Sequence, residues 1–246
     1  MKEHVHLLID GSYFSSDICL VIYRNNDIKC TQLYRLSNSE AFEEMKEDLE
    51  NIKSLGINIR SITCDGHRAL LKAIRSVFKN EIIIQRCVVH VQRSARLWLT
   101  QLPKSIPGQE LLKIAYEISQ IKTEYDRQVW MRKLYDWDLN HQIFLKQRSV
   151  NQLTGRSWYT HKVVRRIRHL LIKSFPDMFH YISNPAIPKS TNGLESFFGH
   201  LKDNLSIHRG LTMKNRRNFI KWYLHFKNEF SKPLETQPIK EKGESN

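Results

Sequence analysis

Apolar residues in the first forty positions of the chain come in short, dense runs, with no helical stripe among them. Val5–Asp10, Ile18–Tyr23 and Ile28–Leu36 are rich in β-branched and aromatic residues and read as three strands. Arg24-Asn25-Asn26-Asp27 lies between the second and third, and Asn tolerates the positive φ of a hairpin turn. The pattern then changes period. Phe42, Met45, Leu49 and Ile52 recur at helical spacing, so a helix is predicted from Glu40 to Ser54, capped by Ser37 or Ser39, with its acids facing outward. Gly56 marks a turn into a strand, Ile57–Asp65, rich in isoleucine. After Gly66, Ala69, Leu70, Ala73, Ile74 and Val77 again fall on one helical face. A strand at Glu81–Gln85 and a helix from Cys87 to about Leu99 complete the order β-β-β-α-β-α-β-α. That order predicts an α/β protein with a mixed five-stranded sheet. Three strands form an antiparallel meander, and two more enter through helical crossovers.

Pro103 to Gly108 interrupts this alternation, and from there to about Ser183 only helices are predicted. They span 109–121, 124–148 and 156–174, with a short one near Asp177, and Trp130, Trp137 and Trp158 are expected in their core. Asn184-Pro185 and Ile187-Pro188 form a rigid link to a helix at Gly193–Leu205, with Leu194, Phe197, Phe198, Leu201 and Leu205 on one face. His208-Arg209-Gly210 ends it, and a last helix covers about 212–227. The predicted organisation is an α/β core over 1–102, an all-α insertion over 103–186, and the core's C-terminal helices over 187–230. A polar tail over 231–246, with two prolines, is expected to be disordered. No internal repeat is visible.

Charge changes the picture most. Lys and Arg number 39 against 25 Asp and Glu, a net +14, which favours a polyanionic partner and nucleic acid first. The charge is sorted by region. Acids crowd into Glu40–Glu50, whereas 82–109 and 139–176 contain none, the latter with eight Lys or Arg. No window approaches a membrane span and no signal-peptide pattern opens the chain, so a soluble, cytoplasmic protein is expected, with no small-molecule substrate. Cys19, Cys30, Cys64 and Cys87 show no close pair spacing and are expected to be reduced.

Two of the strands stop on aspartates, Asp10 and Asp65, each followed by glycine. If those strands are neighbours, the carboxylates sit side by side, an arrangement that implies a bound cation or a shared proton. Oxygen ligation suits Mg²⁺ or Mn²⁺. Asp-Gly is also a common turn pair, which needs no chemistry. Glu195, in Thr191-Asn192-Gly193-Leu194-Glu195-Ser196, is a third acid. With Asn192 as N-cap it also fits a capping box, and both roles are compatible in a first helical turn. Gly199, one turn on, leaves room beside it.

Four blocks in order carry a resemblance: Leu7-Leu8-Ile9-Asp10-Gly11, Ile62-Thr63-Cys64-Asp65-Gly66-His67, Cys87-Val88-Val89-His90, and Thr191 to Ser196. Together they resemble the Asp-Asp-Glu transposases of bacterial insertion sequences, specifically the Mutator-like superfamily, over roughly residues 5–228. The resemblance implies a ribonuclease H-like fold with Asp10, Asp65 and Glu195 as catalytic residues and metal ligands. It also implies two divalent ions, and DNA cleavage and strand transfer at element ends. Element ends and target are the DNA partners, in a nucleoid-associated protein, and a homodimer is expected because two ends must be joined. That family carries a DNA-end-recognition region before the first catalytic strand, where this sequence has four residues before Val5, so a catalytic core lacking that region is expected. A non-catalytic, DNA-binding or inhibitory relic is the alternative reading, and another nuclease of the same fold, such as a junction resolvase, is a second.

Cys87 and His90 could be half of a zinc site, but no second ligand pair is evident. Support of the metal site, or burial on an ordinary helix, are the other readings, and Asn192 is counted with them as a supporting residue. Two basic groups are expected on DNA backbone: Lys162, Arg165, Arg166 and Arg168 in the insertion, beside Lys173, and Lys189, Arg209, Lys214, Arg216 and Arg217 flanking the Glu195 helix. Trp158, Tyr159 and His161 could stack on an unpaired base, although Trp at such spacing more often belongs to a core.

Overall fold

The computed structural model describes residues 4–229; the tail expected at 231–246 lies outside the described residues. Five strands, β1 (Val5–Ser15), β2 (Ile18–Asn25), β3 (Cys30–Ser37), β4 (Ile59–Cys64) and β5 (Ile83–Arg86), form a mixed sheet in the order β3-β2-β1-β4-β5. β1, β2 and β3 pair antiparallel, while β1, β4 and β5 pair parallel, as the alternation of runs and stripes predicts. The crossovers are α1 (Phe42–Ser54) and α2 (Arg68–Phe78), and α3 (Val88–Leu99) follows β5 directly.

The strands' alternation decides what covers each face. Leu7, Ile9, Val21, Tyr23 and Ile62 pack with Met45, Leu49 and Ile52 of α1 and Leu70 and Ile74 of α2. On the other face Leu8, Leu20 and Ile22 pack against Leu194, Phe198 and Leu201 of α9 (Asn192–Ile207), and against Ile220 and Leu224 of α10 (Met213–Glu229). The acids of α1 do not all face outward. Asp48 is 2% exposed and accepts hydrogen bonds from Tyr23 Oη at 3.0 Å and Arg35 Nε at 2.8 Å. A partner on β2 and another on β3 draw it inward, which helical spacing alone cannot reveal.

A third core gathers α3 with α4 (Ile106–Glu117), α5 (Glu124–Asn140), α6 (Gln142–Lys146), α7 (Lys162–Ser174) and α8 (His180–Ser183). Trp130 lies at its centre, its indole N–H donating to Ile114 O at 2.8 Å, and Trp137 donates to Pro107 O at 3.0 Å. The insertion is not all-helical. The helix expected over 124–148 breaks at His141, and the one expected over 156–174 starts only at Lys162. Between them β6 (Arg148–Val150) and β7 (Ser157–Tyr159) form a hairpin. Its turn explains the difference: Asn151 Oδ1 accepts from the N–H of Leu153 and Thr154, and Gly155 takes φ +64°. Trp158 and Tyr159 are therefore 38% exposed on a ribbon, and Trp158 is not the core residue its spacing suggested. Among the described residues, no helix is long and apolar enough to cross a membrane, and all four cysteines are free thiols.

Candidate active site

The site lies where β4 ends beside β1. Ile9 pairs with Cys64 in parallel register, so the next residues, Asp10 and Asp65, lie side by side. Both share the parity of Leu8 and Thr63, which face α9 and its link. Asp10 does not end its strand as expected. Pairing with β2 continues through Gly11, Ser12 and Tyr13, because the meander carries β1 past the end of β4. Asp65 does leave its strand. Its Oδ1 accepts from His67 N–H at 2.7 Å, and Gly66 takes φ +81°. A Cβ on Gly66 would also lie 1.9 Å from Cζ of Arg86, a buried guanidinium whose Nε has no hydrogen-bond partner among the described residues.

Glu195 comes from the first turn of α9, and the link before that helix is tied by one contact to β4 and by two to the start of α3. Thr63 Oγ1 donates to Pro188 O at 2.8 Å, Val88 N–H donates to Lys189 O at 3.1 Å, and Thr191 N–H reaches Cys87 Sγ at 3.4 Å. Thr191 Oγ1 also lies 3.4 Å from His90 Nδ1. Cys87 and His90 therefore brace the link, and Cys87 is committed to Thr191 as well as to its neighbour one turn along α3. The expected capping box does not form: Asn192 is an exposed first-turn residue, and Thr191, which precedes the helix, makes no side-chain cap. Glu195 turns instead to α3, with Oε1 2.6 Å from Arg93 Nη1 and 3.7 Å from His90 Nε2. Gly199 has open space beside it.

Asp10, His90 and Glu195 each offer one ligand atom within 4.8 Å of the others, a grouping able to hold a cation. Asp65 stands beside this trio, close enough that its charge acts on Asp10 and His90. Burial pushes the Asp10 carboxyl up to about 6, and Asp65 adds to the rise, while His90 and the Thr191 hydroxyl oppose it. Burial disfavours charge on His90, but the Cys87 sulfur and the carboxylates of Asp10 and Asp65 outweigh it and raise the imidazole to about 9. Burial likewise resists ionisation of Cys87, yet His90 and the Thr191 N–H prevail and lower its pKa.

Two residues here escaped sequence reasoning. Glu40, just before α1, sits over Gly11, where a Cβ would meet its Oε1 at 1.8 Å. Its Oε2 lies 3.3 Å from His67 Nδ1, an ion pair without hydrogen-bond geometry. Burial and the charge of Asp65 raise the Glu40 pKa, against His67 and His90. Only the end of β3 beside β2 and β1 brings this acid to the site, and local sequence carries no sign of that. Arg93 did carry a sign: three residues after His90, it shares that residue's helical face.

The basic residues are placed unevenly. Arg168 is bound by Asp138 of α5, and Arg165 donates to Leu145 O at 2.6 Å while stacking over Tyr159. Arg166 covers Trp98 and Lys162 covers Trp158. On the other side Arg216 and Arg217 donate to Phe14 O and Asp17 O, whereas Lys189, Arg209 and Lys214 are exposed.

No curated protein matches the chain. A family model described as "Transposase, Mutator family" matches residues 33–137, a stretch that runs from β3 through most of α5 and contains Asp65, Cys87, His90 and Arg93. That match supports a Mutator-like transposase.

Proposed function

We propose that the chain is the catalytic core of a DNA transposase of the Asp-Asp-Glu type, with a ribonuclease H-like fold, acting on element ends and target DNA. The observation that carries this reading is the cluster of Asp10, His90 and Glu195 at the carboxyl edge of parallel strands β1 and β4, with Asp65 next to Asp10 at the end of β4; that is the edge where α/β sheets place ligands. The sheet order β3-β2-β1-β4-β5, with β2 antiparallel, supports the fold assignment.

The donors fit a hard divalent cation. Asp10 and Glu195 bring carboxylate oxygens to one place, and Asp65 adds another charge next to them. Asp10 has Asp65 beside it and a pKa of about 6, so its anion is costly until a cation offsets it. Asp10, Asp65 and Glu195 would hold Mg²⁺ or Mn²⁺, two ions in this reading. Such ions supply Lewis-acid activation of water or a 3′-hydroxyl and stabilise the leaving oxygen. The protein's own residues do the rest. The contacts of Pro188, Lys189 and Thr191 fix α9 so that Glu195 meets Asp10 without closing a capping box. His90, positively charged at neutral pH, faces the same space and is placed to hold a phosphate oxygen. Arg93 neutralises Glu195 and can transfer its guanidinium to a phosphate when a cation takes that carboxylate.

The test is Mn²⁺-dependent nicking and strand joining on supercoiled plasmid, comparing the parent chain with Asp65→Asn and Glu195→Gln. Both substitutions are expected to abolish nicking and joining. Nicking that persists in either would remove these acids from the reaction.

A further inference from the structure

The two acid-free stretches of the sequence, 82–109 and 139–176, form one face in the folded protein. α3 and α7 pack through Val91, Ala95, Val164 and Ile167, and Arg166 of α7 stacks on Trp98 of α3 with its Cζ 3.5 Å from the ring centroid. Beside the Asp10–His90–Glu195 cluster an open, shallow surface of α3 carries His90, Arg93, Arg96 and Leu97. Beyond Trp98 the face continues onto α7 and the hairpin, where Lys162 sits over Trp158, and Arg165 and Arg148 lie 3.5 and 4.9 Å from Tyr159. The acids nearest this face are already bound: Glu195 by Arg93 at its head, and Asp138 by Arg168.

We infer that this face binds the unpaired nucleotides of a DNA strand leading away from the catalytic acids. The inference rests on the DNA-processing role proposed above and adds which form of DNA is held, and where. Charge alone would suit any phosphate backbone. The apolar content does not: Leu97 is 76% exposed, Trp98 42%, and Trp158 and Tyr159 38% each, all on the same basic face. A surface that grips only the phosphates of a duplex has no use for exposed rings, whereas an unpaired base stacks on aromatic and guanidinium planes. Each ring here carries a cation, so one unit offers both a stacking plane and a phosphate contact. A strand laid along α3 would pass Arg93 first, then Leu97, then the Trp98–Arg166 pair and the hairpin.

The test uses the full chain and fluorescence anisotropy with three fluorescein-labelled probes: an oligothymidylate, a blunt duplex, and a duplex with one frayed end. Trp98→Ala and Tyr159→Ala are expected to weaken the oligothymidylate and frayed probes roughly ten- to one-hundred-fold, while the blunt duplex changes little. Both side chains are partly exposed, and an unchanged circular dichroism melt excludes unfolding as the cause. Equal losses on all three probes would make the face a backbone-only surface and overturn the inference, as would no loss on any. Repeating the titrations in EDTA separates this from the catalytic reading: the losses for Trp98→Ala and Tyr159→Ala on the oligothymidylate and frayed probes should persist where no metal-dependent nicking can occur, and losses that vanish in EDTA would overturn the inference.

Discussion

Replacing Asp10 by asparagine should make the metal-free protein more stable at neutral pH, although it removes a proposed ligand. Asp10 is 6% exposed, and its pKa rises from the ordinary 3.8 to about 6. The native state therefore binds this proton more tightly than the unfolded chain does. Between those two values the folded protein carries more protons, so its stability falls as pH rises through the window and levels off above about 6. At about 1.4 kcal/mol per pH unit, the ionised carboxylate costs roughly 3 kcal/mol at pH 7.5 and only about 1 kcal/mol at pH 4.5. Asparagine keeps the size and hydrogen-bonding capacity and cannot ionise. It also gives up the attraction to His90, which trims the gain to about 1–3 kcal/mol at pH 7.5. Thermal melts followed by circular dichroism in EDTA, parent against Asp10→Asn, should show a midpoint higher by roughly 3–10 °C at pH 7.5, and most of that difference should vanish at pH 4.5. A lower midpoint for Asp10→Asn at pH 7.5, or a gain equal at both pH values, would refute the argument that burial makes the Asp10 anion costly despite His90 and Thr191.

Mn²⁺ binding, followed by calorimetry, should weaken about tenfold for each pH unit below about 6, since the Asp10 proton must leave before its oxygen can bind a cation; affinity flat from pH 5 to 7 would take Asp10 out of the ligand set. Gly66→Ala forces a side chain into a positive φ and makes the Arg86 guanidinium move aside, so urea unfolding should show a loss of about 1–3 kcal/mol, and a loss below about 0.5 kcal/mol would mean the Asp65 turn is not fixed as described. Asp48→Ala strands the buried Tyr23 hydroxyl while Arg35 keeps Glu47, and should cost about 1–3 kcal/mol in the same assay; a near-neutral result would show that this network contributes nothing net.

The sheet was legible because its signals are local. Runs of β-branched residues, the Asn25-Asn26 turn and the stripe from Ala69 to Val77 each report their own element, and the five-stranded mixed order follows from their sequence. Of the expected acids, Asp10 and Glu195 come together with His90, and each stands in a short block beside glycine; Asp65 lies next to them at the end of β4. What failed was set by distant partners. Trp158 lies on an exposed ribbon because Asn151 and Gly155 build a turn within a helical stretch, and turn chemistry there outweighs periodicity. Asp48 is buried because Tyr23 and Arg35 meet it from other elements. Asn192 looked like a cap, but Thr191 is spent on Cys87 and His90, and Glu195 on Arg93. Glu40 reaches the site only through the position of β3 at the sheet's edge.

The packing of α9 and α10 has a consequence for how the protein is made. Leu8, Ile18, Leu20 and Ile22 are all in the first tenth of the chain, yet their cover comes from Leu194, Phe198, Leu201, Ile220 and Leu224, near its end. A nascent chain emerging from the ribosome can close the α1–α2 side of its sheet early, but the opposite side stays bare until the last helices arrive. The same delay governs the acidic cluster, because the Glu195 carboxylate arrives with α9. Synthesis order thus keeps Glu195 away from Asp10 and His90 until α9 has been made, and a chain interrupted before that helix would carry bare sheet surface without the assembled cluster.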